Sequence, residues 1–125
     1  MIYKNLYKDF CSELEDYKPV LEALERDTLL DSSDGMHCYF GLVVMPLIIN
    51  MVRDNDVSGL KKSFHFFERM ANEEDKDIVN VLVTTVLEKI VTTNRKTLEI
   101  CKKYMGQETL KQCAYIQQFF ITPEN

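Results

Sequence analysis

The side chains that could carry out chemistry in this chain are few and widely spaced. It has two histidines, His37 and His65, and four cysteines, of which only Cys38 lies next to a histidine. A thiol nucleophile needs a nearby base, so Cys38 or Cys101 together with one of the histidines would be the centre of a small thiol enzyme. Because such partners meet in space and not in sequence, their spacing leaves this possibility open.

Metal and cofactor sites have clearer sequence signatures, and none of them occurs here. Zinc sites use three or four ligands at short spacings such as C-x₂-C or H-x₃-H. The four glycines stand singly, so no glycine-rich loop is available to hold a phosphate. Glu68 and Glu88 lie on two successive predicted helices, but the Glu-x-x-His partners of a di-metal bundle are missing. We therefore expect no metal, no cofactor and no catalytic residue, and we favour a binding protein over an enzyme.

The composition predicts one helical domain. The chain has 125 residues, 46% of them hydrophobic, with only four glycines and three prolines. Scarce turn residues favour long helices with short connections over a many-stranded sheet, and the length suits a single domain over residues 1–125. The net charge of −5 disfavours nucleic acid or an anionic membrane as a direct partner, since both need clustered Lys and Arg.

The expected location is the cytoplasm. The first sixteen residues are charged and amphipathic and lack the apolar run and cleavage site of a secretory signal. The longest apolar run, residues 39–49, is interrupted by Gly41 and Pro46, falls short of a membrane span and is predicted to be a core helix. The four cysteines lie among apolar residues at helical positions, which predicts buried, reduced thiols (Cys11, Cys38, Cys101 and Cys113).

Apolar periodicity predicts about six helices. Their approximate ranges are residues 2–17, 19–29, 36–52, 59–71, 76–93 and 95–121, the last of which Gly106 can divide into two. The expected fold is all-α, either an antiparallel helical bundle or a short stack of helix pairs, with its core on residues 36–52 and 78–91. Pro46 is expected to kink its helix, and the tail after Ile121 is expected to be frayed. Candidate N-terminal caps precede four of the helices: Ser33 or Asp34, Ser58, Asp75 or Asp77, and Asn94.

The charge is unevenly distributed along the chain. Residues 1–35 carry a net charge of −5, residues 36–93 carry −2 and residues 94–125 carry +2. In an up-and-down arrangement, the loops after the second and fourth helices emerge at the same end. They would gather seven acids, which we call the acidic rim: Asp27, Asp31, Asp34, Glu73, Glu74, Asp75 and Asp77. Acids near helix N-termini also serve as caps and interact with the helix dipole, so capping alone is the competing interpretation.

A family resemblance rests on the segment from Phe64 to Glu88. It reads FHFFERMANEEDKDIVNVLVTTVLE, and it resembles small bacterial α-helical proteins similar to the immunity proteins of polymorphic or contact-dependent toxin systems. The positions that carry the resemblance are Phe64, Phe67, Glu68, Asp77, Val79, Asn80, Val81, Leu82, Leu87 and Glu88. The resemblance implies a non-catalytic inhibitor that blocks the active site of a cognate toxin, and it transfers no binding residues.

The acidic balance agrees with this implied function if the toxin is a basic nuclease, because an acidic inhibitor resembles the phosphate chain of its substrate. The partner-binding residues we predict are Asp31, Asp34, Glu73, Glu74 and Asp75, with Tyr17 or Tyr39 as aromatic anchors if they flank that end. Asp77 is assigned to capping. A second candidate face is the outer surface of the first helix, around Asp9, Glu13 and Asp16.

Two other functions compete with the immunity hypothesis. One is a homodimeric regulatory or adaptor protein that uses an exposed patch at Phe66 or Phe120, and the other is the thiol enzyme described above. The immunity hypothesis predicts a monomer or a weak homodimer.

Overall fold

Seven helices make up this all-α protein, and no strand is present. The computed structural model describes all residues from Met1 to Asn125, and 76% of them are helical. The helices are α1 (Leu6–Glu13), α2 (Lys18–Thr28), α3 (Met36–Arg53), α4 (Val57–Ala71), α5 (residues 76–93), α6 (Arg95–Lys102) and α7 (Gln107–Gln117). Short 3₁₀ turns, Tyr3–Asn5 and Glu15–Tyr17, precede α1 and α2.

Three mutually packed helices, α3, α4 and α5, form the centre of the fold. Helix α1 packs on α3 and α4, α2 packs on α3, α6 packs on α3 and α5, and α7 packs on α4 and α5. One core of 29 buried residues runs through all of them. The predicted core on the third and fifth helices is confirmed, and the predicted division of the last helix occurs at Gly106.

Phenylalanines of α1, α3 and α4 form an aromatic cluster in this core. The Phe10 ring lies between Phe66, with centroids 5.3 Å apart, and Phe67, at 6.0 Å, and it also meets Phe40 at 5.8 Å. The predicted exposed patch at Phe66 is therefore wrong, since this side chain is fully buried. Helix α4 has partners on several sides, so its buried surface is wider than the single stripe that periodicity indicates.

Helices α3 and α5 both contain π-helical turns, at Phe40–Val44 and Val81–Leu87, and these two segments pack against each other. Pro46 follows the first of them and lies in the first turn of regular α-helix after it. A proline lacks the N–H that would bond to the preceding turn, and a change of helix type is one way in which a helix accommodates it. The structure thus shows a π-helical segment beside Pro46, where a kink was expected.

Helix α3 is also the one helix of this fold that is long and apolar enough to cross a membrane, by length and composition. It has 18 residues, more than the apolar run of residues 39–49 on which the expectation of a core helix rested. The core helix of a soluble protein passes the same test. Seven of its side chains lie in the core: Phe40, Val43, Val44, Met45, Leu47, Ile48 and Met51.

The caps agree only partly with prediction. Asn94 caps α6, with its side chain accepting a hydrogen bond from Thr97 N, and Asp75 caps α5. Helix α4 is capped by Asp56 and not by Ser58, through a bond from Gly59 N to Asp56 Oδ1. Helix α3 begins after Gly35 without any side-chain cap, because the carboxylate of Asp34 accepts a bond from Asp31 N instead.

The C-terminal tail is docked and not frayed as expected. Arg95 N donates a 2.7 Å hydrogen bond to the carbonyl oxygen of Pro123, and the Thr122 side chain is buried. Arg95 also lies 3.6 Å from Glu124. The tail therefore returns to the start of α6, close to the end of α5.

Candidate binding surface

Three tyrosines, Tyr3, Tyr7 and Tyr39, lie near residues of the two acidic loops. Tyr3 and Tyr7 lie one helical turn apart, and the Tyr7 ring contacts Tyr39 with centroids 4.6 Å apart. Burial, followed by the charges of Asp77 and Asp75, raises the pKa of Tyr3. The acids of the loop after α4 thus lie near one end of this tyrosine row.

The loop after α2 lies at the other end of the row. The Tyr39 hydroxyl donates a 2.8 Å hydrogen bond to the carbonyl oxygen of Asp31. Burial, followed by the charges of Glu25, Asp34 and Asp31, raises the pKa of Tyr39. The Tyr7 hydroxyl donates a 2.7 Å bond to Glu25, and burial is the main reason that its pKa is raised. Tyr39 thus lies beside Asp31 and Asp34 of the loop after α2, while Asp75 and Asp77 of the loop after α4 lie near Tyr3.

Four acids of the rim have structural bonds. Asp31 accepts bonds from the backbone and the hydroxyl of Ser33, which lower its pKa, and Asp34 accepts from Asp31 N at 2.9 Å. Asp75 accepts a hydrogen bond from Asp77 N, in the first turn of α5. Glu73 lies 3.4 Å from the N-terminal ammonium of Met1. Among these acids only Asp75 caps a helix, while Asp31 and Asp34 bond within their own loop and Glu73 pairs with the N-terminus.

The remaining three acids of the rim, Asp27, Glu74 and Asp77, are exposed, and none of their side chains accepts a hydrogen bond. The expectation that Asp77 serves as a cap is wrong, because Asp75 has that role. Exposed and unpaired carboxylates are the ones that can approach a partner's cations without first losing a bond inside the chain. The acidic rim thus consists of four acids that are hydrogen-bonded or ion-paired within the chain and three whose carboxylates are free.

Tyr17 lies at the opposite end of the molecule and does not flank the rim. Its hydroxyl donates a 2.6 Å bond to Asp56 Oδ2, next to the start of α4, whereas the rim follows the end of α4. The fifteen residues of α4 span about 22 Å. Burial and this bond raise the pKa of Tyr17 to about 12. Tyr17 therefore joins the starts of α2 and α4.

The second candidate face, on the outer surface of α1, is partly neutralised. Glu13 pairs with Arg69 at 2.6 Å, and Asp16 pairs with Lys62 at 3.1 Å, both across to α4. The Arg69 guanidinium also lies over the Phe66 ring, 5.6 Å from its centroid. Two of the three acids proposed there thus already have cationic partners, which makes the rim the more strongly negative surface.

No hydrogen bond joins a cysteine to a histidine in this structure. Cys101 is buried, and burial raises its pKa to about 12, so the thiol stays protonated and a poor nucleophile at neutral pH. Cys38 is exposed, contrary to the prediction, while His37 next to it shares a 2.6 Å hydrogen bond between Nδ1 and Thr85 Oγ1. No group of three or more His, Cys, Asp or Glu side chains is placed to hold a metal ion.

One polar site was missed by sequence reasoning. The Glu68 carboxylate accepts hydrogen bonds from Glu108 N at 3.1 Å, from Thr109 N at 2.9 Å and from Thr109 Oγ1 at 2.8 Å, and so caps α7 from a different helix. Burial opposes ionisation, but these bonds and one from Asn72 outweigh it, and the pKa of Glu68 is lowered.

Comparison with known proteins identifies a family. The family model described as "Domain of unknown function (DUF7674)" matches residues 5–121, nearly the whole chain, so the chain belongs to this family. No curated protein and no solved structure matches the chain.

Proposed function

We propose that this member of the DUF7674 family is a non-catalytic immunity protein that binds a cognate bacterial toxin through its acidic rim. The toxin is expected to be a basic nuclease whose active site the rim blocks. The observation that supports this most is the meeting of two acidic loops at one row of tyrosines. The resemblance of the segment from Phe64 to Glu88 supplies the class of partner, and the rim supplies the chemistry of the contact.

Electrostatics explains why this surface suits such a partner. A nuclease cleft is lined with Lys and Arg to hold phosphates, and clustered carboxylates present a similar pattern of negative charge. Complementary electrostatic potentials accelerate association by tenfold or more at low salt. The gain in rate falls as salt is added, because the screening length of the charges decreases to about 10 Å at roughly 0.1 M salt. Tyrosines next to the acids add aromatic area, and aromatic anchors often contribute the largest share of binding energy.

The acids of the rim differ in whether they are hydrogen-bonded within the chain. Asp31, Asp34 and Asp75 hold the two loops in place through their bonds, while Asp27, Glu74 and Asp77 extend into solvent. We propose that the free acids steer the encounter and contact the partner's cations. Tyr39 lies beside the loop after α2 and would serve there as an aromatic anchor.

The experiment starts with the open reading frame next to this chain's gene. Expression of that frame alone in a bacterial host should arrest growth, and co-expression of this chain should restore it. The purified pair should associate at least tenfold faster at about 20 mM salt than at about 500 mM salt. A triple variant, Asp27→Lys, Glu74→Lys and Asp77→Lys, should lose both the growth rescue and the salt dependence.

A matched control keeps the change in total charge but moves it elsewhere. Glu15, Glu22 and Glu99 are exposed, lie outside the rim and make no side-chain bond, so their reversal to Lys alters net charge equally. This control should retain rescue and salt dependence. If it fails as the triple rim variant does, net charge and not the rim is responsible. If the neighbouring frame is not toxic, or if this chain does not restore growth, the immunity function is refuted. His37→Ala and thiol-blocking reagents should leave binding unchanged, which separates this function from a thiol enzyme.

A further inference from the structure

A cleft between α4 and the connection from α6 to α7 gathers cationic side chains from two distant parts of the chain. Its volume is about 360 Å³. One wall is a single face of α4, because its lining residues are spaced i, i+3, i+4 and i+7: Lys61, Phe64, His65 and Glu68. The other wall contains Lys103 and Tyr104, which follow the end of α6.

The cations of α4 differ in whether they already have a partner. Lys62 and Arg69 each pair with an acid of α1. On the side of α4 that lines the cleft, Lys61 forms no ion pair, and neither does Lys103 on the opposite wall. Both lysines and His65 are exposed. The charges at the cleft are therefore free to meet a ligand.

Glu68 is the one acid that lines the cleft, and its carboxylate is already occupied. Both of its oxygens accept hydrogen bonds, which come from the start of α7 at Glu108 and Thr109 and from the side chain of Asn72. The positive end of the α7 dipole offsets its charge further. Two lysines against one glutamate give the cleft a formal charge of +1 with the histidine neutral, in a chain whose net charge is −5.

We propose that this cleft binds the phosphate group of a small phosphate monoester. Such a group carries nearly two negative charges at neutral pH, because its second pKa is about 6, and two free ammonium groups match that charge. Lysine is a common phosphate ligand, and the Tyr104 hydroxyl and an imidazole N–H of His65 can add neutral donors. Ligand pockets usually measure about 300–1,000 Å³, so a cleft of this size suits a small molecule.

A long polyanion such as nucleic acid fits this surface less well. The cations next to the cleft on α4, Lys62 and Arg69, are paired with acids of α1, so the free positive charge does not extend into a track that a nucleic-acid backbone could follow. The cleft is thus a local site for one phosphate group. The inference does not depend on the proposed immunity function.

Two-dimensional ¹H–¹⁵N NMR of the chain, titrated with phenyl phosphate, tests the proposal. The backbone amide signals of residues 61–65 and 103–106 should shift and saturate, with a Kd of about 1 mM or lower. Inorganic phosphate should compete for the same signals. Phenyl sulfate has a similar shape but only one negative charge, and at about pH 7.5 it should bind at least fivefold more weakly.

Variants of the two lysines identify the ligands of the phosphate. Lys61→Gln and Lys103→Gln should each raise the Kd for phenyl phosphate at least about threefold, and the double variant should raise it at least about tenfold. Lys62→Gln is the matched control, because it makes the same change in charge at the neighbouring residue, which is paired with Asp16. Its Kd should stay within about twofold of the wild-type value. The same spectra show whether each variant is folded.

Four results would overturn the proposal. The first is the absence of saturable shifts up to about 20 mM phenyl phosphate, which corresponds to negligible affinity. The second is a set of shifts that lies outside the cleft. The third is a loss of affinity in Lys62→Gln as large as that in Lys61→Gln, since net charge alone would then explain binding. The fourth is equal affinity for phenyl sulfate, which would remove the assignment to a phosphate group.

Discussion

The contact between Glu68 and the start of α7 allows the sharpest test of how this fold is held together. The Glu68 carboxylate is the sole side-chain cap of α7, because Gly106 at the cap position has no side chain. It accepts two backbone N–H groups and the hydroxyl of Thr109, a residue with no exposed surface. Glu68→Ala would leave all three donors without this acceptor. The buried Thr109 hydroxyl could not form a hydrogen bond with water instead.

The expected cost follows from these three bonds. Loss of an ordinary N-terminal cap costs about 0.5–2 kcal/mol, and a buried polar group left unpaired costs about 1–3 kcal/mol. Glu68 itself is partly exposed, so we expect the two effects to overlap and give about 2–3 kcal/mol in total. For a domain of this size that corresponds to a decrease in Tm of roughly 6–12 °C. Glu68→Gln keeps an acceptor but removes the charge, and should cost about 1 kcal/mol.

Urea unfolding followed by circular dichroism measures both variants, and pH adds an independent check. Because the folded-state pKa of Glu68 is lowered from the usual 4.5, its contribution to the free energy of unfolding is complete above that value. The contribution is lost as the pH falls through the folded-state pKa. The stability difference between wild type and Glu68→Gln should therefore shrink below about pH 4.

A double-mutant cycle with Gly106 provides the control on mechanism. A Cβ at position 106 would overlap the carboxyl group of Glu68, so Gly106→Ala should displace the cap and destabilise the wild-type chain. In the Glu68→Ala background the same change should cost almost nothing, since no carboxyl group remains to be displaced. Glu99→Ala is the matched control on an exposed helical surface. The capping argument is refuted if the free energies of unfolding of Glu68→Ala and Glu99→Ala differ by less than about 0.5 kcal/mol. It is also refuted if the destabilisations caused by Glu68→Ala and Gly106→Ala simply add in the double variant.

Three further predictions concern other parts of the fold. Tyr17→Phe removes the hydroxyl that bonds to Asp56 and should lower the free energy of unfolding by about 1 kcal/mol in urea titrations; an unchanged midpoint would contradict this. Phe10→Ala removes the ring at the centre of the aromatic cluster and should cost about 3–5 kcal/mol by the same assay, with a value under 1 kcal/mol as the contrary result. In labelling with a thiol reagent followed by mass spectrometry, Cys38 should react at once, while Cys101 should react only when the chain unfolds.

The helices could be predicted from the sequence because their signals are local. Apolar spacing in α3 and α5, together with breaks at Gly35 and the acidic loop after α4, placed the boundaries of these two helices closely. The first helix, predicted over residues 2–17, is shorter at both ends, since α1 spans Leu6–Glu13 between two 3₁₀ turns. Caps were harder, since two or three candidates stand within a few positions of one another and all have a suitable side chain. At the start of α4 the backbone of Gly59 bonds to Asp56, and Ser58 is left inside the helix. Only the backbone dihedrals decide between such neighbours.

The features that could not be predicted all depend on contacts between distant parts of the chain. Glu68 and Thr109 are 41 positions apart, Tyr17 and Asp56 are 39 apart, and Pro123 returns to Arg95. In each case a side chain or the tail forms a hydrogen bond with another element, and periodicity contains no information on which element that is. The acidic rim is an intermediate case: helix order alone implies that its two loops share an end, but the division into bonded and free acids appears only in three dimensions. That division matters for function, because an acid already bonded within the chain contributes less to a partner than its formal charge indicates. Charge counted from sequence is thus a guide to which end of such a protein binds, and hydrogen bonding decides which residues of that end are free to do so.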